Sequence, residues 1–302
     1  MKFKKEILIV GGTGFIGYHL AKRSLKKGWQ VTSISSSAPK KIRYLSKVEY
    51  IRCDITNKKL LKKSIYKSFD YVVNLGGYVD HSHKKKTYKS HYEGCKNLAE
   101  IFLQKKILSF IQIGSSIEYG TSNSPQKESI KCNLKSIKSV YGRAKLLSSV
   151  YMTNMFKKKN FPSTVLRLYQ VYGPKQDINR FLPFIINKCL KNKKFPCSEG
   201  NQLRDFIYVD DVVEAVIKSL TSKNARGEII NIGSGKPRVV KKVIEKVIKI
   251  SKGGHPQYGM FKKRKFEISK LYPNIKKAKN KINWIPKMPF EKGLKKTIKL
   301  YK

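Results

Sequence analysis

Two reactive side chains share one helix face in "SVYGRAKLL". Tyr141 and Lys145 stand four residues apart, so a phenol and an ammonium lie one above the other. Taken alone, such a pair belongs on a surface. A second reactive group lies in "IQIGSSIEYG", residues 111–120, where an apolar strand-like run ends in Ser115, Ser116 and Glu118. Small polar residues suit any strand exit. Whether these groups do chemistry depends on the elements that position them.

The first such element opens the chain. "IVGGTGFIG" sets Gly11, Gly14 and Gly17 between a strand and a helix. The glycines permit a tight turn, close approach of backbone to a pyrophosphate, and close helix–strand packing. The helix N-terminus adds unpaired N–H groups and a partial positive charge. Thr13, Phe15 and Ile16 fall in the same turn and are assigned with it to a dinucleotide. An NAD site would carry Asp or Glu at the end of the second strand. Here "TSISSSAPKKIR" offers Ser35, Ser36 and Ser37, then Lys40, Lys41 and Arg43. Hydroxyls and cations fit a 2′-phosphate, so NADP(H) is favoured and NAD is the alternative. A solvated lysine loop is the bland reading. Asp54 follows the third strand, beside Ile55, and is placed to meet the adenine amino group or to cap the next helix. Leu75, Gly76 and Gly77 leave the fourth strand along the same cofactor.

Short apolar runs alternate with helical patterns through the first half of the chain. The strands are "EILIVGG", "QVTSIS", "VEYIRCDI", "FDYVVNLGG", "SFIQIGSS" and "PSTVLRLYQVYG". Between them "YKSHYEGCKNLAEIFLQKK" reads as one helix and "SVYGRAKLLSSVYMTNMFKKK" as a longer one. The alternation predicts an α/β fold: a Rossmann-like, doubly wound parallel sheet covered on both faces. Beyond Gly173-Pro174 prolines punctuate shorter elements. The expected division is residues 1–173 for the dinucleotide-binding unit and 174–302 mostly for a smaller C-terminal substrate-binding lobe. Segments near 204–234, "RDFIYVDDVVEAVIKSL" and "GEIINIGSG", are expected to return to the first unit.

Composition narrows the class. At 302 residues with 40% hydrophobic content the chain can bury a sizeable core. Its formal charge of +47 comes from 66 Lys and Arg against 19 Asp and Glu, mostly lysines spread along the chain. That pattern reads as solvated helix faces, and nucleic acid is not the expected partner, since its readers favour Arg and aromatics. Five scattered cysteines without paired spacing argue for a reducing, cytoplasmic setting and against disulfides or zinc. The apolar start mimics a signal peptide, but Glu6, His19 and the glycine turn break that reading. No apolar run reaches about 18 residues, so no membrane span is expected.

The glycine turn, "NLGG", "GSSIEYG", YxxxK, "RLYQVYGP", "RDFIYVDD", "NIGSG" and the late "WIP" together resemble the extended short-chain dehydrogenase/reductase superfamily, in its NAD-dependent epimerase/dehydratase branch. The resemblance covers nearly the whole chain. It implies an enzyme that moves a hydride to or from nicotinamide while Tyr141 acts as general acid/base. Lys145 would bond the nicotinamide ribose and lower the Tyr141 pKa, and Ser115 would hold the reacting oxygen. A free tyrosine titrates near ~10, so work near neutrality needs about 4 kcal/mol in favour of phenolate. A nucleotide-diphosphate sugar is the implied substrate. Ser116, Gln170, Arg180 and Arg204 fall on its side, with Arg204 as diphosphate clamp or, alternatively, paired with Asp205 or Asp210. Tyr169 would pack near the nicotinamide. Gln170 stands where many relatives carry Asn. His81 and His83 are extra acid/base candidates or a polar rim. The resemblance also implies a homodimer through a long-helix bundle.

Glu118 bears on the reaction. Sugar 4,6-dehydratases of this family place a carboxylate two residues before the Tyr of "YG", often with an Asp before it. Those positions here are Ile117 and Ser116, and Ile cannot shuttle a proton. Glu118 is one residue late and, in extended chain, faces away. The "GSSIEYG" and "RLYQVYGP" forms look like the CDP-abequose synthase type, a 4-ketoreductase of nucleotide-linked 4-keto-6-deoxy sugars. A 4-epimerase with retained NAD is the alternative. A Rossmann-like RNA- or partner-binding protein is the reading from another class.

Overall fold

The computed structural model describes residues 4–78, 80, 82–261 and 267–302. In chain order the elements are β1 (Glu6–Val10), α1 (Phe15–Lys26), β2 (Gln30–Ser35), β3 (Val48–Arg52), α2 (Lys58–Ser64), β4 (Tyr71–Asn74), α3 (Lys84–Tyr88), α4 (Gly94–Leu103), β5 (Ser109–Ser115) and α5 (Val140–Lys159). There follow β6 (Ser163–Leu168), β7 (Gln170–Tyr172), α6 (Phe181–Leu190), β8 (Lys194–Pro196), β9 (Leu203–Tyr208), α7 (Val209–Thr221), β10 (Ile229–Ile232), β11 (Pro237–Val239), α8 (Val240–Ser251), β12 (His255–Gln257), β13 (Lys270–Leu271), α9 (Lys276–Ile282) and α10 (Phe290–Tyr301).

Seven parallel strands form the main sheet in the order β3-β2-β1-β4-β5-β6-β10. Successive side chains of a strand point to opposite faces, and β1 shows the consequence. Ile7 and Ile9 enter a core with Leu20 of α1 and Val212 and Val216 of α7. Leu8 and Val10 enter the opposite core with Leu61, Leu98, Phe102 and Met152 from α2, α4 and α5. Both faces are covered, which is why the strands read as near-continuous apolar runs.

A second sheet gathers around β9, with β11 antiparallel to it and β7 and β13 parallel. Its core joins Phe206 and Tyr208 of β9 to Ile185 of α6, Val243 of α8 and Leu294 of α10. Strand membership cuts across the expected division of the chain. β7, before residue 173, already belongs to the second sheet, and so does β9. Helix α7 and strand β10 do return to the main sheet.

One helix differs from its sequence pattern. The stretch expected to run unbroken from Tyr88 starts earlier, at Lys84, and is interrupted by a π-helical turn at Lys89–Glu93. Such turns add a residue to the helix and commonly occur at functional sites. After it Gly94 lies against the β3 exit: a Cβ there would come 2.6 Å from Ile55.

Candidate active site

The strand order reverses between β1 and β4, and α/β sheets bind ligands outside the carboxyl ends of the strands at such a point. There the protein has a cleft of about 1170 Å³. Gly11, Thr13 and Gly14 line it, with Ser35, Ser36 and Lys40 from the β2 exit, Asp54 and Ile55 from the β3 exit, and Leu75, Gly76 and Gly77 from the β4 exit. The glycines have steric reasons to be there. Gly11 has φ +79°, and a Cβ on it would approach the Leu75 carbonyl carbon to 3.0 Å. A Cβ on Gly17 would lie 2.3 Å from the Gly11 oxygen. Thr13 N–H donates to Ser35 Oγ at 3.4 Å, tying the turn to the end of β2. The Phe15 side chain packs against the second-sheet core, and that of Ile16 against both this core and the main-sheet core of Leu20. Only their N–H groups, in the first turn of α1, are aimed as a phosphate needs. A glycine cradle at a free helix start fits the pyrophosphate of a dinucleotide.

The β2 exit departs from the sequence reading. Lys40 Nζ is 2.7 Å from Asp177 Oδ1, and the buried Arg43 is 2.8 Å from Asp177 Oδ2. Two of the three cations offered for a 2′-phosphate, Lys40 and Arg43, are thus paired with one carboxylate. Partial burial works against that carboxylate's charge, but hydrogen bonds from Lys40 and Arg43 outweigh it and hold the pKa low. Asp54 turns its carboxylate to Thr56 N–H at 2.9 Å, and Asn57 caps α2 in its place.

Ser115, Tyr141 and Lys145 come together at the β5 exit. Ser139 caps α5 through Gly142 N–H at 3.0 Å. Gly142 allows that first turn to press on the 116–119 turn; its Cβ would lie 3.3 Å from Ile117 and 2.6 Å from Ile137. The Tyr141 hydroxyl is hydrogen-bonded to the Ser115 side chain. Burial raises the Tyr141 pKa, opposed by that bond and by Arg180 nearby. The expected lowering of this pKa is therefore not supplied by the chain alone. Lys145 Nζ, 5.9 Å from the Tyr141 ring centre, donates to Ile113 O at 2.7 Å. Burial pushes its pKa down to about 8, with Glu118 pulling the other way.

Glu118 finds its role below the site. It is fully buried, and its Oε1 accepts Ser115 N–H at 2.7 Å. Its Oε2 accepts from Arg167 Nε at 2.8 Å and from Ser149 Oγ at 2.7 Å. One carboxylate thereby joins β5, α5 and β6. Burial works against the Arg167 charge, yet Glu118 outweighs it and raises the guanidinium pKa. The guanidinium also lies 4.4 Å over the Tyr119 ring, whose hydroxyl donates to Asn231 Oδ1 at 2.8 Å. Gly114 is small for the same reason, since a Cβ there would meet Glu118 Oε1 at 2.6 Å.

On the substrate side, Arg204 donates to Glu267 at 3.1 Å and to the Leu203 carbonyl at 2.9 Å. Its partner is neither Asp205 nor Asp210. Asp205 instead accepts from Ser234 N–H and Oγ at 2.7 and 2.9 Å, and burial pushes its pKa up to about 6. Tyr169 is buried and gives its hydroxyl to Gln126 Oε1 at 2.8 Å. Gln170 is exposed at the start of β7, Ser116 is buried in the turn after β5, and Arg180 precedes α6. His83 precedes α3, and His81 lies outside the described residues.

Two residues escaped the sequence reading. His91, in the π-helical turn, sets its ring 5.0 Å from that of Tyr141 and directly beneath Gly77, where a Cβ would lie 1.9 Å from the imidazole. Asp177, in "GPKQDINR", is the other. Its only available signal was the rarity of acidic residues in so basic a chain. Among the described residues no cluster of three or more His, Cys, Asp or Glu offers a metal site, and no helix is long and apolar enough to cross a membrane.

A main parallel sheet with a glycine cradle at its switch point and a Ser–Tyr–Lys set one strand away defines an extended short-chain dehydrogenase/reductase. The chain belongs to the NAD dependent epimerase/dehydratase family, which matches residues 7–233. It is 29% identical to a putative UDP-glucose 4-epimerase of Methanocaldococcus jannaschii over 97% of each chain. It is 24% identical to the CDP-abequose synthase of Salmonella muenchen over 98% of each. It superposes on the UDP-glucuronic acid 4-epimerase of Bacillus cereus, crystallised with UDP-glucuronic acid and NAD, with a TM-score of 0.85, 26% identity and 98% coverage of both chains. The chain is thus an enzyme of a nucleotide-sugar-modifying family.

Proposed function

We propose that this enzyme oxidises and re-reduces C4 of a nucleotide-diphosphate sugar, with 4-epimerisation as the net reaction. The carrying observation is the hydroxyl pair Ser115–Tyr141 beside Lys145, combined with the commitment of Glu118 to Arg167. The set can move one proton at an alcohol oxygen. It has no carboxylate at Ser116 or Ile117 for the further proton transfers of water elimination.

Each residue has a defined task in this reading. Ser115 holds the C4 oxygen, and Tyr141 takes the hydroxyl proton as the C–H bond breaks. With its raised pKa, Tyr141 keeps its proton at neutral pH in the protein alone, so the active base needs added positive charge. Lys145 supplies part of that charge. When bound, a nicotinamide would supply the hydride acceptor and donor, and inversion at C4 requires the 4-keto sugar to turn its opposite face to it before the hydride returns. Tyr141 then gives the proton back to the oxygen from which it came.

The pairing of Lys40 and Arg43 with Asp177 supports NAD ahead of the NADP(H) expected from the sequence. Retained NAD suits epimerisation, which returns the cofactor to its starting state. Reduction of a 4-keto-6-deoxy sugar by NADPH is the second reading, favoured by the lack of an acidic residue at Ser35 and Ser36.

The test is to denature the purified protein, identify any released dinucleotide by mass spectrometry, and follow UDP-glucose and UDP-glucuronic acid with the protein by NMR. Bound NAD and appearance of the C4 epimer support the proposal. An empty cleft, no epimer, and NADPH-dependent loss of a 4-keto sugar overturn it in favour of the reductase.

A further inference from the structure

The loop that leaves β7 reaches back across the cleft to the turn after β2. Lys175 adopts φ +65°, a left-handed conformation unusual for a lysine. Its carbonyl accepts two hydrogen bonds from Arg43, at 2.9 and 2.6 Å, and its ammonium donates to the Ile42 carbonyl at 2.5 Å. The loop is therefore fixed against residues 42 and 43 from both sides. Two residues further on, Asp177 meets Lys40 and Arg43 with one oxygen each. Asp177, Lys40 and Arg43 line the same cleft as Ser35 and Ser36.

We propose that Asp177 makes the cofactor site select NAD(H) over NADP(H), acting from the substrate-side loop in place of the missing acidic residue at the end of β2. A 2′-phosphate drawn to Lys40 or Arg43 meets a carboxylate already holding both. It must either displace Asp177 from two short charge-assisted bonds or sit beside a like charge. A free 2′-hydroxyl brings no such conflict, and a carboxylate can accept its hydrogen bond. The chain thus carries cations that suit the larger cofactor and a carboxylate that withholds them.

This inference rests on the dinucleotide reading of the cleft. The experiment is fluorescence titration of cofactor-stripped protein with NADH and NADPH, for wild type, Asp177→Asn, Asp177→Glu and Lys40→Met. Wild type binds NADH more tightly. Asp177→Asn moves the affinity ratio toward NADPH by about tenfold or more, as expected when a like charge leaves and two cations are released. Asp177→Glu keeps the wild-type ratio. Lys40→Met, at an exposed side chain, moves the ratio further toward NADH, which gives a readout should Asp177→Asn fail to fold. An unchanged ratio in Asp177→Asn or in Lys40→Met, with both cofactors still bound, overturns the role of Asp177 and leaves the dinucleotide reading standing. Wild-type preference for NADPH overturns it as well. Failure of both cofactors to bind wild type removes the dinucleotide reading itself, and the inference with it.

Discussion

Two carboxylate–guanidinium pairs sit at different depths of one site. Glu118 and Arg167 have side chains 0% and 3% exposed, and their partners come from β5, α5 and β6. Asp177 meets the buried Arg43, 5% exposed, at the edge of the cleft, where Asp177 itself is 31% exposed and shares its charge with the solvated Lys40. The chemistry of the pairs is alike, but their surroundings differ. A sealed pair has no water to turn to, so loss of one member strands the other. A carboxylate at an open edge, such as Asp177, can exchange one of its partners for solvent or for a ligand. The first is suited to hold a backbone in place, the second to discriminate between ligands.

The site between the two pairs gives the largest expected effect. Tyr141→Phe removes the proposed proton carrier and touches neither pair, so turnover should fall by about 10²–10⁴-fold while cofactor affinity and unfolding free energy stay near wild type. Steady-state kinetics beside a cofactor titration checks this. Retention of a tenth of the activity would remove Tyr141 from the chemistry.

Next comes the sealed pair. Glu118→Ala leaves Arg167 buried without its counter-charge and should cost about 3–5 kcal/mol in urea unfolding. A loss below about 1 kcal/mol would mean that the depth of the pair does not matter.

Lys145 tests the same dry region through pH. Its folded pKa of about 8 lies below the ordinary 10.5, so the folded protein gives up this proton first. The penalty for a buried charge is in full force below about pH 8 and fades as pH rises toward the unfolded value. Lys145→Met lacks the penalty altogether. Wild type should therefore gain on the variant by up to about 3 kcal/mol between pH 7 and pH 10. Unfolding curves of both proteins at the two pH values measure this; a gap that does not change would refute it.

The smallest effect belongs to the open pair. Lys40→Ala should shift unfolding by less than about 1 kcal/mol, as surface ion pairs usually do. A loss as large as that of Glu118→Ala would erase the contrast between the two.

Local patterns in the chain predicted what local geometry determines. The alternating faces of β1, the glycine turn into α1 and the i, i+4 placement of Tyr141 and Lys145 all follow from short-range periodicity. Partners distant in sequence leave no such signature. Glu118 meets Arg167 across 49 residues, Arg204 meets Glu267 across 63, and Lys40 meets Asp177 across 137. The sequence showed that Glu118 is out of register for dehydration, but not what it holds. It showed the cations after β2, but not the carboxylate that claims them. The π-helical turn was hidden for a related reason: one added residue barely disturbs an apolar pattern, yet it places His91 under Gly77.

The late arrival of β10 has a consequence for biosynthesis. β6 pairs on one side with β5, but its other neighbour, β10, begins at Ile229, after β7, α6, β8, β9 and α7 have been made. Until then β6 presents a free row of N–H and C=O groups, a template for pairing with another nascent chain. Helix α7, which covers this sheet, emerges just before the strand that closes it. A chain truncated before residue 229 thus lacks the strand that closes this edge of the sheet.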